Sequence, residues 1–170
     1  MAAKAVDQGI SLERDYYLVG SNCPGAEGCE AIDSIILNPN DPNQLIRVAL
    51  TVNVPHDMYN FMLEDFIPAG TEVFNPELQT SQTIPDEPVD IYNPIQPFDK
   101  GWGWWVFDDA EIYDDHVLWN ASYVPAGTYI LTYELVPYQR GAYQVLPAHA
   151  WQYFYPEVQG TTSGDLFTIN

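Results

Sequence analysis

An all-β fold, an antiparallel sandwich of two sheets, follows from three features of this chain. Strand-forming residues dominate: 12 Tyr, 7 Phe and 5 Trp stand beside abundant Val, Ile and Thr, the side chains that fit a pleated, half-buried surface. Fourteen Pro and 11 Gly are spread along the chain and cut it into short segments bounded by turns. No apolar run at i, i+3, i+4 and i+7 extends beyond about two turns, so helix is expected only as short turns.

Residues 1–8 read as a tag-like or linker start and 9–170 as a single domain. The start, Met1-Ala-Ala-Lys-Ala, lacks the apolar segment of a signal peptide and reads as an excised piece. Gly9–Val19 alternates well enough for a first strand. Residues 20–44, rich in Asn, Pro, Gly and Asp, form a long loop with a short strand at Ala31–Leu37. Leu45–Val54 sets Leu45, Arg47 and Ala49 against Ile46, Val48 and Leu50, a strand largely apolar on both faces. Tyr59–Ile67 follows, ended by Pro68-Ala69-Gly70.

Residues 75–100 hold five prolines with little periodicity, an insertion-like loop with a helical turn near Pro76–Thr80. Strands are expected at Trp104–Phe107, Ala110–Tyr113 and Val117–Tyr123, the last two joined by a turn at Asp114-Asp115. After Pro125-Ala126-Gly127, Thr128–Pro137 is the longest alternating run. Tyr129, Leu131, Tyr133 and Leu135 lie on one of its faces. Arg140-Gly141 turns the chain into Tyr143–Leu146, and Leu166–Ile169 closes the fold. These segments amount to roughly eight to ten short strands, the spacing of a two-sheet sandwich.

Charge excludes several functions. Against 24 Asp and Glu there are 5 Lys and Arg, a net charge of −19. Nucleic-acid binding needs a basic footprint that this chain lacks, and anionic membrane surfaces repel it. No stretch of about 18 apolar residues is present, so no membrane-spanning helix is encoded. Disorder is opposed by the 46% hydrophobic and 14% aromatic content, well above that of a disordered acidic chain.

Candidate chemistry is sparse. Cys23 and Cys29 flank a short loop turned by Gly25 and Gly28, where a disulfide contributes about 2 kcal/mol by chain entropy. Free thiols and a metal or redox pair are the alternatives, the last lacking further ligands nearby. The disulfide reading places the chain in an oxidising compartment. Asp108, Asp109, Glu111, Asp114 and Asp115 suit turn chemistry and a solvated face, with a weak Ca²⁺ site as the alternative. His56, His116 and His149 show no metal-ligand spacing and read as surface or turn residues. Gly101-Trp-Gly-Trp-Trp105 reads as a strand whose alternate indoles fill a core, or as a platform stacking a sugar ring. Asn120-Ala-Ser122 matches a glycosylation sequon at strand-like positions. No catalytic motif is present, so the chain is expected to be no enzyme and to need no cofactor.

The C-terminal third carries a resemblance. Val124-Pro-Ala-Gly127, Val145-Leu-Pro-Ala-His-Ala150 and Tyr153-Phe-Tyr-Pro-Glu-Val-Gln-Gly160 follow the order of motifs in the last macroglobulin-like domain of the bacterial alpha-2-macroglobulins. Glu64-Asp-Phe-Ile-Pro-Ala-Gly70 resembles that family's earlier Asp-x-Leu-Pro-Ala-Gly turn. The resemblance spans about residues 9–169 and is strongest from 107 to 160. It implies an immunoglobulin-like, macroglobulin-like sandwich that acts as the C-terminal, non-catalytic module of a periplasmic or extracellular protease trap. The trap's reactive thioester lies in a separate domain with a Cys-x-Glu-Gln motif, absent from this sequence. Partners implied are other domains of the parent chain, the thioester domain above all, and target proteases through the parent.

In the family a Met-Tyr pair covers the thioester against water. Alignment on Pro156-Glu-Val-x-Gly160 puts Tyr153 and Phe154 at those positions, with Trp151 and Tyr155 beside them as interdomain contacts. Plain packing of these aromatics on the domain's own sheet is the competing reading. Animal relatives engage a clearance receptor through lysines; Lys4 and Lys100 are the only lysines here and do not lie on a helix, so receptor binding is not expected. The reading from a different class is a secreted, carbohydrate- or Ca²⁺-binding adhesion sandwich, resting on the Trp cluster and the carboxylates at 108–115.

Overall fold

The computed structural model describes residues 3–19, 23–24, 28–38, 40–41, 44–75 and 101–170. The expected Pro-rich loop and its helical turn fall almost wholly on 76–100, outside the described residues. Among those described, fourteen strands form: β1 (Val6–Gln8), β2 (Ser11–Leu18), β3 (Ser34–Ile35), β4 (Ile46–Val54), β5 (Met58–Phe66), β6 (Thr71–Val73), β7 (Gly101–Trp102), β8 (Glu111–Ile112), β9 (His116–Val124), β10 (Gly127–Pro137), β11 (Gly141–Val145), β12 (His149–Gln152), β13 (Tyr155–Thr161) and β14 (Asp165–Ile169). The additional strands relative to the sequence expectation are the short pieces β1, β6 and β7 and the hairpin strands β12 and β13, which lie inside the six-stranded sheet.

Two antiparallel sheets face each other. One has six strands in the order β1-β13-β12-β5-β9-β8; the other runs β2-β4-β10-β6, with β7 also on β10. Leu50, Val52, Phe61, Leu63, Val117, Trp119 and Leu131 are buried between them. Each such side chain contributes roughly 1.5–3 kcal/mol by leaving water. The fold is thus the expected sandwich, and Gly127–Pro137 is its longest strand.

The two-faced apolarity of β4 has a specific origin. Ile46, Val48, Leu50, Val52 and Val54 turn toward the core, as strand alternation requires. On the opposite face Ala49 packs with Tyr17 and Cys23. There Arg47 meets its direct cross-strand partner Glu134 at 3.0 Å and donates a 3.2 Å hydrogen bond to the Cys23 carbonyl. The disulfide-bonded Cys23 and Cys29 therefore pack on this face.

Three departures have identifiable causes. Gly9 adopts φ 100° and separates the expected first strand, observed as β2, from a preceding one, Val6–Gln8, which pairs with β13, ahead of the expected boundary at residue 9. Tyr143–Leu146 and Leu166–Ile169 join neither main sheet. They become β11 and β14, which pair with each other and, in parallel, with β3 as a third, three-stranded sheet. A second buried cluster, including Tyr16, Ile46, Leu135, Phe167 and Ile169, fastens that sheet to the body.

The third departure is the Trp segment. Trp104–Phe107 is not a strand but begins with a 3-10 turn at Trp104–Val106. Gly103 has φ 77°, and a Cβ there would stand 2.4 Å from the Tyr129 ring, so the chain bends where only glycine fits. Alternation is lost and the indoles swing outward: Trp102, Trp104 and Trp105 are all exposed. They meet one another edge to face at 5.3 and 6.2 Å. Phe107 takes the core position instead, against Phe61 and Tyr129. The expectation that these indoles fill a core is corrected accordingly.

Candidate functional site: an aromatic hairpin

The hairpin of β12 and β13 carries the four aromatics singled out from sequence. Its register shifts between Trp151 and Gln152, so that Trp151 faces Gln159 while Gln152 faces Tyr155. The tip is the turn Tyr153-Phe154. Pro156, with no N–H to donate, sits where the ladder is interrupted, the place a strand tolerates proline. Turn residues have no sheet face beneath them. Tyr153 and Phe154 are accordingly 61% and 67% exposed, Tyr155 at the first position of β13 is 61% exposed, and the Tyr153 and Phe154 rings lie edge to face at 5.1 Å. Trp151, half-buried on the outer face, stacks on His149 at 4.5 Å. Only Trp151 therefore follows the expectation of packing on the domain's own sheet.

The tip is held by β5. The Tyr153 amide donates to the Asn60 carbonyl at 2.8 Å, and β5 pairs with β12 from Phe61–Gln152 to Glu64–His149. Below it, Gly160 permits β13 to press on the start of β2: a Cβ there would stand 2.1 Å from the Ile10 carbonyl oxygen. The glycine of the Pro-Glu-Val-x-Gly sequence is thus required by close backbone approach.

The other motif segments anchor backbone. The Pro68 carbonyl accepts from the Thr71 amide at 2.9 Å, and the Gly70 carbonyl accepts from the Tyr138 amide at 3.0 Å. The Leu146 carbonyl accepts from Arg14 Nη1 at 3.0 Å. The Ala148 amide donates to Thr162 Oγ1 at 2.9 Å.

That arginine heads a buried polar cluster that the sequence reading missed. Arg14 from β2 donates to Asp65 of β5 and to Asp165 of β14, at 2.6 and 2.7 Å. The Tyr133 hydroxyl of β10 donates to the second Asp65 oxygen at 2.6 Å. One guanidinium thus ties all three sheets. Burial opposes its charge, but Asp65, Tyr16 and Asp165 more than offset that and its pKa is raised. Burial pushes the Asp65 carboxyl up even though Arg14 and Tyr133 pull it down. A signal was present in the alternation: Arg14 is in phase with Leu12 and Tyr16, and Asp65 with Phe61 and Leu63, all facing inward. The cluster is internal and serves the fold.

The remaining candidates are dispersed. Asp108, Asp109, Asp114 and Asp115 are all exposed, and Asp115 Oδ1 lies 2.6 Å from His116 Nδ1, a contact that holds the Asp115 carboxyl below its usual range. Among the described residues no three His, Cys, Asp or Glu side chains converge to hold a metal ion. His56 is exposed, His116 stacks on Tyr113 at 4.4 Å and His149 on Trp151. Among the described residues no helix is long and apolar enough to cross a membrane.

A three-sheet β domain with these motif turns and a protruding aromatic hairpin is a macroglobulin-like domain. The chain matches the family model of the bacterial alpha-2-macroglobulin MG10 domain over residues 9–157 and belongs to that family. The segment of native Escherichia coli alpha-2-macroglobulin from domain MG7 to the C-terminus superposes with a TM-score of 0.69 at 18% identity, covering 98% of this chain and 24% of that one. Salmonella alpha-2-macroglobulin reacted with methylamine superposes at 0.69 and 19% identity, over 100% of this chain and 10% of that one. Trypsin-activated alpha-2-macroglobulin from E. coli gives 0.72 at 17% identity, over 98% and 11%. The chain therefore spans between about a tenth and a quarter of the proteins it matches. No curated protein sequence matches it.

Proposed function

We propose that this chain is the C-terminal, non-catalytic domain of a bacterial alpha-2-macroglobulin-like protease-trapping inhibitor, and that its aromatic hairpin shields the thioester domain of the parent chain. One observation carries the reading: Tyr153 and Phe154 protrude at the tip of the β12–β13 hairpin, where the resemblance on Pro156-Glu-Val-x-Gly160 puts the family's Met-Tyr pair. A thioester is lost when water adds to its acyl carbon and the C–S bond breaks, leaving a carboxylate and a thiol. Two rigid rings seated over that carbon exclude water and slow the reaction. The Salmonella protein's reaction with methylamine is the parallel chemistry, an amine taking the place of water. The disulfide at Cys23–Cys29 supports a periplasmic or extracellular site of action, and the target proteases act on the parent.

The test is thiol release from the full-length parent. Tyr153→Ala with Phe154→Ala should accelerate spontaneous release; an unchanged time course removes the shielding role.

The exposed indoles at 102, 104 and 105 favour a second reading, a carbohydrate-binding adhesion surface. Calorimetry against an oligosaccharide panel decides it, since a flat titration leaves it without support.

A further inference from the structure

We infer that the surface meeting the thioester domain is wider than the hairpin and includes the ring pair Tyr59 and Tyr123, in tilted contact at the adjoining strand ends; this rests on the reading above. Tyr59, on β5, and Tyr123, on β9, are direct cross-strand partners. Their rings lie 5.1 Å apart, and they are 60% and 42% exposed.

The pair is built in, not loosely placed. Asp57 accepts from the Tyr123 hydroxyl at 2.7 Å and from the Ala126 amide at 2.9 Å, which holds the ring against the strand end. On the other side, the Tyr153 amide donates to the Asn60 carbonyl at 2.8 Å. The Tyr59 amide reaches Gln152 Oε1 at 3.5 Å. Asn60 itself has φ 52°, a conformation only Gly and Asn adopt readily. The backbone is bent at the point where the two pairs of rings adjoin.

Charge and chain length identify the occupant. This chain carries a net charge of −19, yet Tyr59, Tyr123, Tyr153, Phe154 and Tyr155 form a neutral group, and both oxygens of the Asp57 beside them are engaged within the domain. Another face of the same parent can approach there without desolvating a free charge. With the chain spanning only 10% to 24% of the proteins it superposes on, such faces lie in the parent. The thioester-bearing domain is the one that already meets the adjoining rings.

The experiment compares two double variants of the full-length parent by the rate of thiol release without protease. One is Tyr59→Ala with Tyr123→Ala, the other Tyr153→Ala with Phe154→Ala; amide hydrogen exchange of β5 and β9 checks that the sheet is intact. With both acting, each double variant accelerates release by about tenfold, the loss of two aromatic contacts. Acceleration by the second alone overturns the wider surface and leaves the hairpin's role standing. No change in either overturns both. Acceleration by the first alone removes the hairpin's role, and this inference falls with it. As a check independent of truncation, Tyr59→Arg alone should accelerate release by burying an unpaired charge; a wild-type rate in that variant counts against the proposal.

Discussion

Arg14 Nη1 stands 2.6 Å from Asp65 Oδ1, and neither side chain is reached by water. The pair crosses the sandwich from β2 to β5, and the Arg14–Asp165 contact extends it to the third sheet. A buried pair of this kind contributes little over a well-packed apolar replacement, but breaking it leaves a charge without its partner.

Asp65→Ala should therefore destabilise the domain by about 3–5 kcal/mol, read as a lower urea midpoint at unchanged slope. The Tyr133 hydroxyl loses its acceptor in the same variant. A loss below about 1 kcal/mol, the range of surface pairs, would contradict the role assigned to the cluster.

Gly160→Ala tests the close approach of β13 to β2. The added methyl meets the Ile10 carbonyl oxygen at 2.1 Å, backbone that moves only if the strands part. A loss of about 1–3 kcal/mol is expected, or several degrees in the thermal midpoint for a domain of this size. A wild-type midpoint would show that the strands part freely.

Replacing both Cys23 and Cys29 with Ala should cost about 2 kcal/mol by loop-closure entropy. The effect should also reach Arg47, because that side chain bonds the Cys23 carbonyl. Faster amide exchange at Arg47 and Glu134 in the double variant is the specific readout; exchange confined to the loop would limit the disulfide to its own segment.

Asp57 gives a pH signature. Its folded pKa is lowered, first by the Ala126 amide and then by the Tyr123 hydroxyl. A carboxyl depressed in the folded state stabilises above its unfolded pKa, near 3.9, and that contribution is lost as pH falls through the folded value. The Ala126 amide resonance should therefore titrate with a midpoint below about 3.9. A midpoint at or above it would mean that Tyr123 is not held as described.

Strands β4, β5 and β9 were legible because alternation is local: Ile46–Val54, Met58–Phe66 and His116–Val124 each lie within a residue or so of the span their side chains predict. The aromatic tip was legible through motif order. The sequence pattern also marked Arg14 and Asp65 as inward-facing, but not as partners, since they are 51 positions apart and pairing at that distance leaves no local trace. Gly103 hid the fate of the indoles for a related reason. Its left-handed backbone answers the Tyr129 ring on another strand, so Trp104 and Trp105 leave the alternation that their spacing suggests. The third sheet was likewise decided by long-range contacts, those of Phe167 and Ile169 with Tyr16, Ile46 and Leu135.

The most direct measurement is the intact mass of the native full-length parent before and after methylamine, with thiols counted in parallel. The account predicts a chain far larger than 19.2 kDa that gains one amine adduct and one free thiol, faster once Tyr153 and Phe154 are replaced by Ala. A native product near 19.2 kDa, or a large chain that gains neither adduct nor thiol, would contradict it.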